Sequence, residues 1–216
     1  MQEHERLIDE IKNIVSKYYE NNFFSGHDYS HSLRVYNLCK ILSEDEEVDM
    51  LVLEAAALLH DLGRAWERSN PSIDHAEKSV ELAQQILDNI GFPKEKISKV
   101  LYAIRVHRFS KGIKPETIEA KILQDADRID ACGAIGISTA FAYGGAHGLQ
   151  LYDVEDPFAE NRPLNDKKYC LDHFYTKLLN LDKTLITRKG KTLAQKRKRF
   201  MIIFLREFKR ELNNMT

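Results

Sequence analysis

Val-Asp-Met-Leu-Val-Leu-Glu-Ala-Ala-Ala-Leu-Leu-His-Asp-Leu-Gly, residues 48–63, places apolar side chains at Val48, Leu51, Val52, Ala55, Leu58 and Leu59, the spacing of a helix face. The segment predicts a helix from about Val48 to Leu62, closed by Gly63, a residue favoured just past a helix end. Against that apolar run, the adjacent polar pair His60 and Asp61 stands out. It falls in the last turn, where unsatisfied carbonyls and the negative end of the helix dipole favour a nearby cation.

The same periodicity continues on both sides, and no segment shows the strict alternation of a half-buried strand, so the fold class is all-α. Helices are expected over about residues 3–20, then on the stripe His31, Val35, Leu38, Leu42, then over 74–90 up to Gly91-Phe92-Pro93. A fifth carries Ile97, Val100, Leu101 and Ile104, and a sixth starts near Glu116 after Pro115. Gly133 and Gly136 are expected to interrupt the chain beyond that sixth helix. The stretch from Tyr143 to Asp166, with Gly144, Gly145, Gly148, Pro157 and Pro163, reads as the longest loop. Two helices, about 166–182 and 191–213, complete the chain. In the second, Phe200, Ile203, Phe204 and Phe208 are expected to face inward, leaving the basic stretch Lys189 to Arg199 as a solvated side.

The chain has 216 residues, enough for one substantial core, and is read as a single domain over 1–216. Hydrophobic residues at 43%, charged residues at 30% and a net charge of -1 describe a soluble globular protein. That charge argues against a general nucleic-acid binder, which needs excess positive charge to displace counterions. No apolar run approaches a membrane span and the N-terminus is polar, so no membrane partner and a cytoplasmic location are expected. Cys39, Cys132 and Cys170 form no Cys-x-x-Cys pair and read as reduced, buried small hydrophobes.

Further histidines and aspartates stand at matching places. His31 begins its helical stripe, His75 begins the Ser79, Leu82, Ile86 stripe, and His107 continues the Ile97, Val100, Leu101, Ile104 face. A single buried histidine is more often a hydrogen-bonded core residue than a ligand. Several buried together would each need a partner or incur a desolvation cost of roughly a few kcal/mol, and one shared cation satisfies them at once. Imidazole with carboxylate suits Mn, Fe, Co, Ni or Zn better than Mg alone.

The order His31, His60-Asp61, Asp127 resembles the signature of the HD superfamily of metal-dependent phosphohydrolases. The surroundings agree: His31-Ser32-x-Arg34-Val35, His60-Asp61-Leu62-Gly63 and Asp125-Ala126-Asp127-Arg128-Ile129-Asp130-Ala131. Similarity extends through His75-Ala76-x-x-Ser79, Ile104-x-x-His107, Asp156-Pro157-Phe158, His173-Phe174-Tyr175-x-Lys177-Leu178 and Phe200-Met201-x-x-Phe204-Leu205. These match the stand-alone bacterial HD hydrolases, small all-helical proteins, over nearly the whole chain. The resemblance implies an HD-type helical bundle with a metal-binding core over about 22–135 and additional C-terminal helices over about 136–216. It also implies that His31, His60, Asp61 and Asp127 hold a divalent metal, Mn being favoured and Mg included. Periodicity leaves Asp125 and Asp127 as alternatives for the fourth ligand; the motif points to Asp127. In HD relatives with two metals, histidines resembling His75 and His107 hold the second ion; here they are alternatively substrate contacts.

In such a site water is the nucleophile. Besides Asp61, Glu77 and Asp130 are candidates for catalytic proton transfer. Arg34, Arg64, Lys78, Arg105, Arg108 and Arg128 are candidates for holding phosphate, since guanidinium groups grip it bidentately. Relatives acting on alarmones or on deoxynucleoside monophosphates carry acidic residues where this chain has Arg64-Ala65. A nucleoside triphosphate, cleaved to monophosphate and pyrophosphate, is therefore the favoured substrate. The alternatives are a non-catalytic nucleotide-sensing module, or a phosphomonoesterase or phosphodiesterase acting on another phosphorylated small molecule. Self-association into a homodimer is left open.

Overall fold

The structure, a computed structural model, describes residues 2–21, 28–108 and 111–213. Helices α1 (Gln2–Asn21), α2 (Tyr29–Ser43), α3 (Met50–Leu59), α4 (Arg64–Ser69), α5 (His75–Asn89) and α6 (Lys94–Val106) lead to α7 (Ile118–Asp130). After it come α8 (Gly133–Ala146), α9 (Cys170–Thr176), a 3₁₀ segment (Leu178–Thr184) and α10 (Arg188–Asn213). Among the described residues there is no strand, only an isolated bridge between Gln150 and Tyr169. No helix among them is long and apolar enough to cross a membrane. The chain divides into two compact units, residues 1–127 and 128–216.

In the first unit α3 is the central element, buried at every residue from Leu51 to Leu59, with α1, α2 and α6 packed on it. From α1, the stripe Leu7, Ile8, Ile11 and Val15 turns inward. Aspartates start three of the helices. Asp28, Asp49 and Asp74 accept from the backbone N–H of His31, Val52 and Glu77, satisfying donors that a helix start leaves open. The caps fix where His31 and His75 enter their helices.

Gly63 does not close the helix through a left-handed turn. Its φ is -76°, and it stands directly before α4, a short helix that the sequence pattern did not reveal. Its need for a bare backbone is steric: a Cβ would lie 2.2 Å from the His75 carbonyl oxygen and 2.9 Å from the Ser79 nitrogen. The Gly63 N–H donates to Ser79 Oγ at 2.8 Å, and Tyr18 donates to the Leu62 carbonyl at 2.7 Å. The turn carrying His60 and Asp61 is thus clamped from two sides.

The second unit packs Cys132, Ile137, Leu171, Phe174, Leu178, Leu181, Met201 and Leu205 into one core, flanked by Phe141, Phe204 and Phe208. Gly133 opens α8 with a φ of +77°, but Gly136 lies inside the helix, not in a break. The expected long loop is correspondingly shorter, because α8 runs to Ala146. It is pinned by backbone bonds between Gln150 and both Lys168 and Cys170, and by Arg162, which grips buried Asp172 at 2.6 and 2.8 Å. On α10 the expectation for Phe200 and Ile203 is corrected: both are exposed, while Met201 and Leu205 face inward. The helix presents its core through Gly190, Ala194, Met201 and Leu205, which places 200 and 203 on the opposite arc. The three cysteines are buried and free.

Candidate metal centre

His31 stands in the first turn of α2, His60 and Asp61 just past α3, His75 at the first position of α5, His107 just past α6, and Asp127 in α7. Helix ends therefore bring these side chains together, and His31, His60, Asp61, His75 and His107 are all buried there. His31 Nε2 lies 3.3 Å from His60 Nε2, 3.5 Å from Asp61 Oδ2 and 3.5 Å from Asp127 Oδ1. His60 Nε2 is 3.7 Å from the Asp61 oxygen and 3.8 Å from the Asp127 oxygen. Ligands at right angles around an ion, each about 2.1–2.2 Å away, would be about 3 Å apart, so these separations are slightly open versions of a coordination sphere.

Asp61 also faces a second set of groups. Its Oδ1 is 3.6 Å from His75 Nε2 and 3.5 Å from His107 Nε2. His31, His60 and Asp61, and separately Asp61, His75 and His107, are the two groups that can hold an ion among the described residues. Both Nε2 atoms of His75 and His107 are buried without a hydrogen-bond partner among those residues, a costly state that a cation or a donor would relieve.

The opposite ring nitrogens explain the direction of the lone pairs. His60 Nδ1 donates to the Ala57 carbonyl at 2.8 Å, His107 Nδ1 to the Ile104 carbonyl at 2.6 Å, and His75 Nδ1 to Glu67 Oε2 at 2.9 Å. A carbonyl can only accept, so the proton sits on Nδ1 and Nε2 offers its lone pair to the centre. Burial lowers the pKa of His60 to about 4, and burial together with the Arg64 guanidinium does the same for His75. Both are neutral near pH 7, as a ligand must be. Burial pushes the Asp127 carboxyl up, but hydrogen bonding to His31 and the electrostatics of the facing imidazoles outweigh it and hold it below the usual carboxylate range. The donor set fits a divalent ion.

Residues 28–132 match the HD domain family model. The chain is 35% identical to YpgQ of Bacillus subtilis over 192 residues, which cover 87% of this chain and 85% of that one. A crystal structure of an HD-superfamily hydrolase from Bacillus thuringiensis matches with a TM-score of 0.75 at 33% identity, covering 97% and 98% of the two chains. The chain belongs to the HD superfamily of hydrolases. YpgQ crystallised in complex with ADP matches this HD chain with a TM-score of 0.72 at 29% identity over 96% of each chain. Ribonuclease Y of Syntrophomonas wolfei is 36% identical over 103 residues, 47% of this chain but only 18% of that one.

The other residues singled out in this HD hydrolase fall into two sets. Arg64 and Arg108 lie beside the cluster: Arg64 Nε donates to Asp61 Oδ1 at 3.0 Å, and Arg108 donates to Glu67 at 2.7 Å and Asp74 at 3.0 Å. Arg34 donates to Ser30 at 2.8 Å in the first turns of α2. Lys78 pairs with Glu81 at 2.7 Å and covers the Trp66 ring. Glu77 is half-exposed and pairs with Arg105 at 3.2 Å, a position on the outer side of α5. Arg128 is buried and donates to the Thr184 carbonyl within the second unit, where Asp130 is buried as well. Asp125 is fully buried. Sequence reasoning missed Glu67, which receives the His75 N–H and both arginines. The available signal was its position three residues after Arg64, one helical turn along, once α4 is known to exist.

Proposed function

We propose that this HD hydrolase cleaves nucleotides with one divalent metal held by His31, His60, Asp61 and Asp127, Mn being favoured, and that its preferred reaction converts a nucleoside triphosphate to monophosphate and pyrophosphate. The observation that carries the reading is the convergence of the four side chains within one unit, with the two histidine Nε2 atoms 3.3–3.8 Å from each other and from both carboxylates. When bound, such an ion supplies Lewis acidity: it offsets phosphoryl charge and brings the ionisation of water towards neutral pH.

The protein's own groups do the rest. The Nδ1 hydrogen bonds of His60, His75 and His107 lock their rings, so the lone pairs are aimed before substrate arrives. His75 and His107 offer inward acceptors for a proton of the attacking water or of the nucleotide, and we assign proton handling to them in preference to Glu77. Arg64 and Arg108, with Arg34 further along, supply the positive charge that a polyphosphate requires. The complex of YpgQ with ADP supports a nucleotide as the ligand class, and the cytoplasm is where such a substrate is met.

The test is a panel of nucleoside mono-, di- and triphosphates and a short RNA, each with protein loaded with Mn, Co, Ni or Mg. Pyrophosphate released from a triphosphate is expected, fastest with Mn. No turnover above an Asp61→Ala control would refute the catalytic reading, and ligand-induced thermal stabilisation without product would replace it with nucleotide sensing. Release of products from RNA alone would replace the substrate assignment.

A further inference from the structure

Asp61 directs its two oxygens to two sets of histidines, and the second set already has a cation beside it. Oδ1, which is 3.5–3.6 Å from His107 and His75, accepts the Arg64 Nε proton at 3.0 Å. The same guanidinium reaches Glu67 Oε2 at 3.4 Å, and Glu67 in turn holds His75 Nδ1 at 2.9 Å and Arg108 at 2.7 Å. Arg64 is therefore held between two carboxylates, with its side chain only 24% exposed.

We propose that Arg64 is the second cation of this centre: its guanidinium takes the place beside Asp61 Oδ1 that a second divalent ion would take in the Asp61, His75, His107 set, so that the protein holds one metal. The inference rests on the proposed metal site and deepens it. An ion coordinated by Oδ1 at about 2.2 Å would lie within about 5 Å of the guanidinium, and like charges so close in a poorly solvated interior repel strongly. Arginine suits the role because it stays charged under all conditions, whereas a lysine can lose its proton to make room for a metal. With the position filled by a monocation, the inward nitrogens of His75 and His107 remain open to a hydrogen-bond donor from water or substrate.

The measurement is bound metal per chain by elemental analysis after loading with Mn and desalting, on the full chain. One ion is expected in the wild type, two in Arg64→Met, and one again in Arg64→Met combined with His107→Ala. Electron paramagnetic resonance of Arg64→Met should show a spin-coupled Mn pair absent from the wild type. Should Arg64→Met fail to fold, Arg64→Gln carries the same expectation. Two ions in the wild type, or one in a folded Arg64 variant, would overturn the inference. No ion in the wild type would instead remove the metal reading on which it stands.

Discussion

Gly63→Ala tests how tightly the turn behind His60 and Asp61 is packed. The backbone there has a φ of -76°, which alanine adopts without strain, so on conformational grounds the substitution should stabilise by about 0.4–1 kcal/mol through the unfolded chain. Packing opposes this. The added Cβ would stand 2.2 Å from the His75 carbonyl oxygen and 2.9 Å from the Ser79 nitrogen, both backbone atoms of α5, and α5 must retreat by about 1 Å to restore ordinary contact. Overpacking of that kind costs about 1–3 kcal/mol, so a net loss of about 1–2 kcal/mol is expected. For a chain of this length that corresponds to a Tm lower by about 2–8 °C. Because His75 opens α5 and points its Nε2 at Asp61, hydrolysis should fall as well. Thermal unfolding by circular dichroism with a parallel nucleotide assay measures both. A Tm equal to or above that of the wild type, with unchanged turnover, would refute the claim that Gly63 is there for close approach.

Other outcomes rest on the same geometry. Mn at 100 times its Kd should stabilise the wild type by about 2.7 kcal/mol, and His60→Ala or Asp127→Ala should abolish that increment in a thermal shift assay. In the metal-free protein, the pKa of His60 and of His75 is about 4 when folded and 6.5 when unfolded, so the unfolded state binds more protons between those values. Stability should therefore be fully present above pH 6.5 and decline as pH falls to about 4; urea midpoints that stay flat over this window would contradict it. Arg162→Ala leaves the buried Asp172 carboxylate with the Asn165 N–H as its remaining partner among the described residues, and should destabilise the protein by about 3 kcal/mol in urea unfolding without changing bound metal.

The sequence was most legible where polarity contradicts a helical stripe. His60 and Asp61 at the end of an otherwise buried α3, and His107 on the Ile104 face, could be recognised because a helix face that is apolar for several turns gives its next member a known direction. Between Asp125 and Asp127 periodicity had no such power, since α7 is buried on more than one side; the fold brings Asp127 to His31 and His60. Glu67 was hidden because α4 is six residues long, too short to build a periodic pattern, and because its partners come from α5 and from beyond α6. Local rules mark Gly63 for its backbone conformation, whereas its role is set by a neighbour twelve residues away. On α10, four aromatic and aliphatic residues within nine positions allowed more than one inward arc, and packing against α8 and the 3₁₀ segment selected the one containing Met201 and Leu205.

Whether His31, His60, Asp61 and Asp127 surround one ion is tested most directly by anomalous diffraction at the Mn edge from crystals of the Mn-loaded protein. A single peak within about 2.0–2.4 Å of the Nε2 atoms of both histidines and of one oxygen from each carboxylate is predicted. A peak bound elsewhere, or none at full loading, would contradict it.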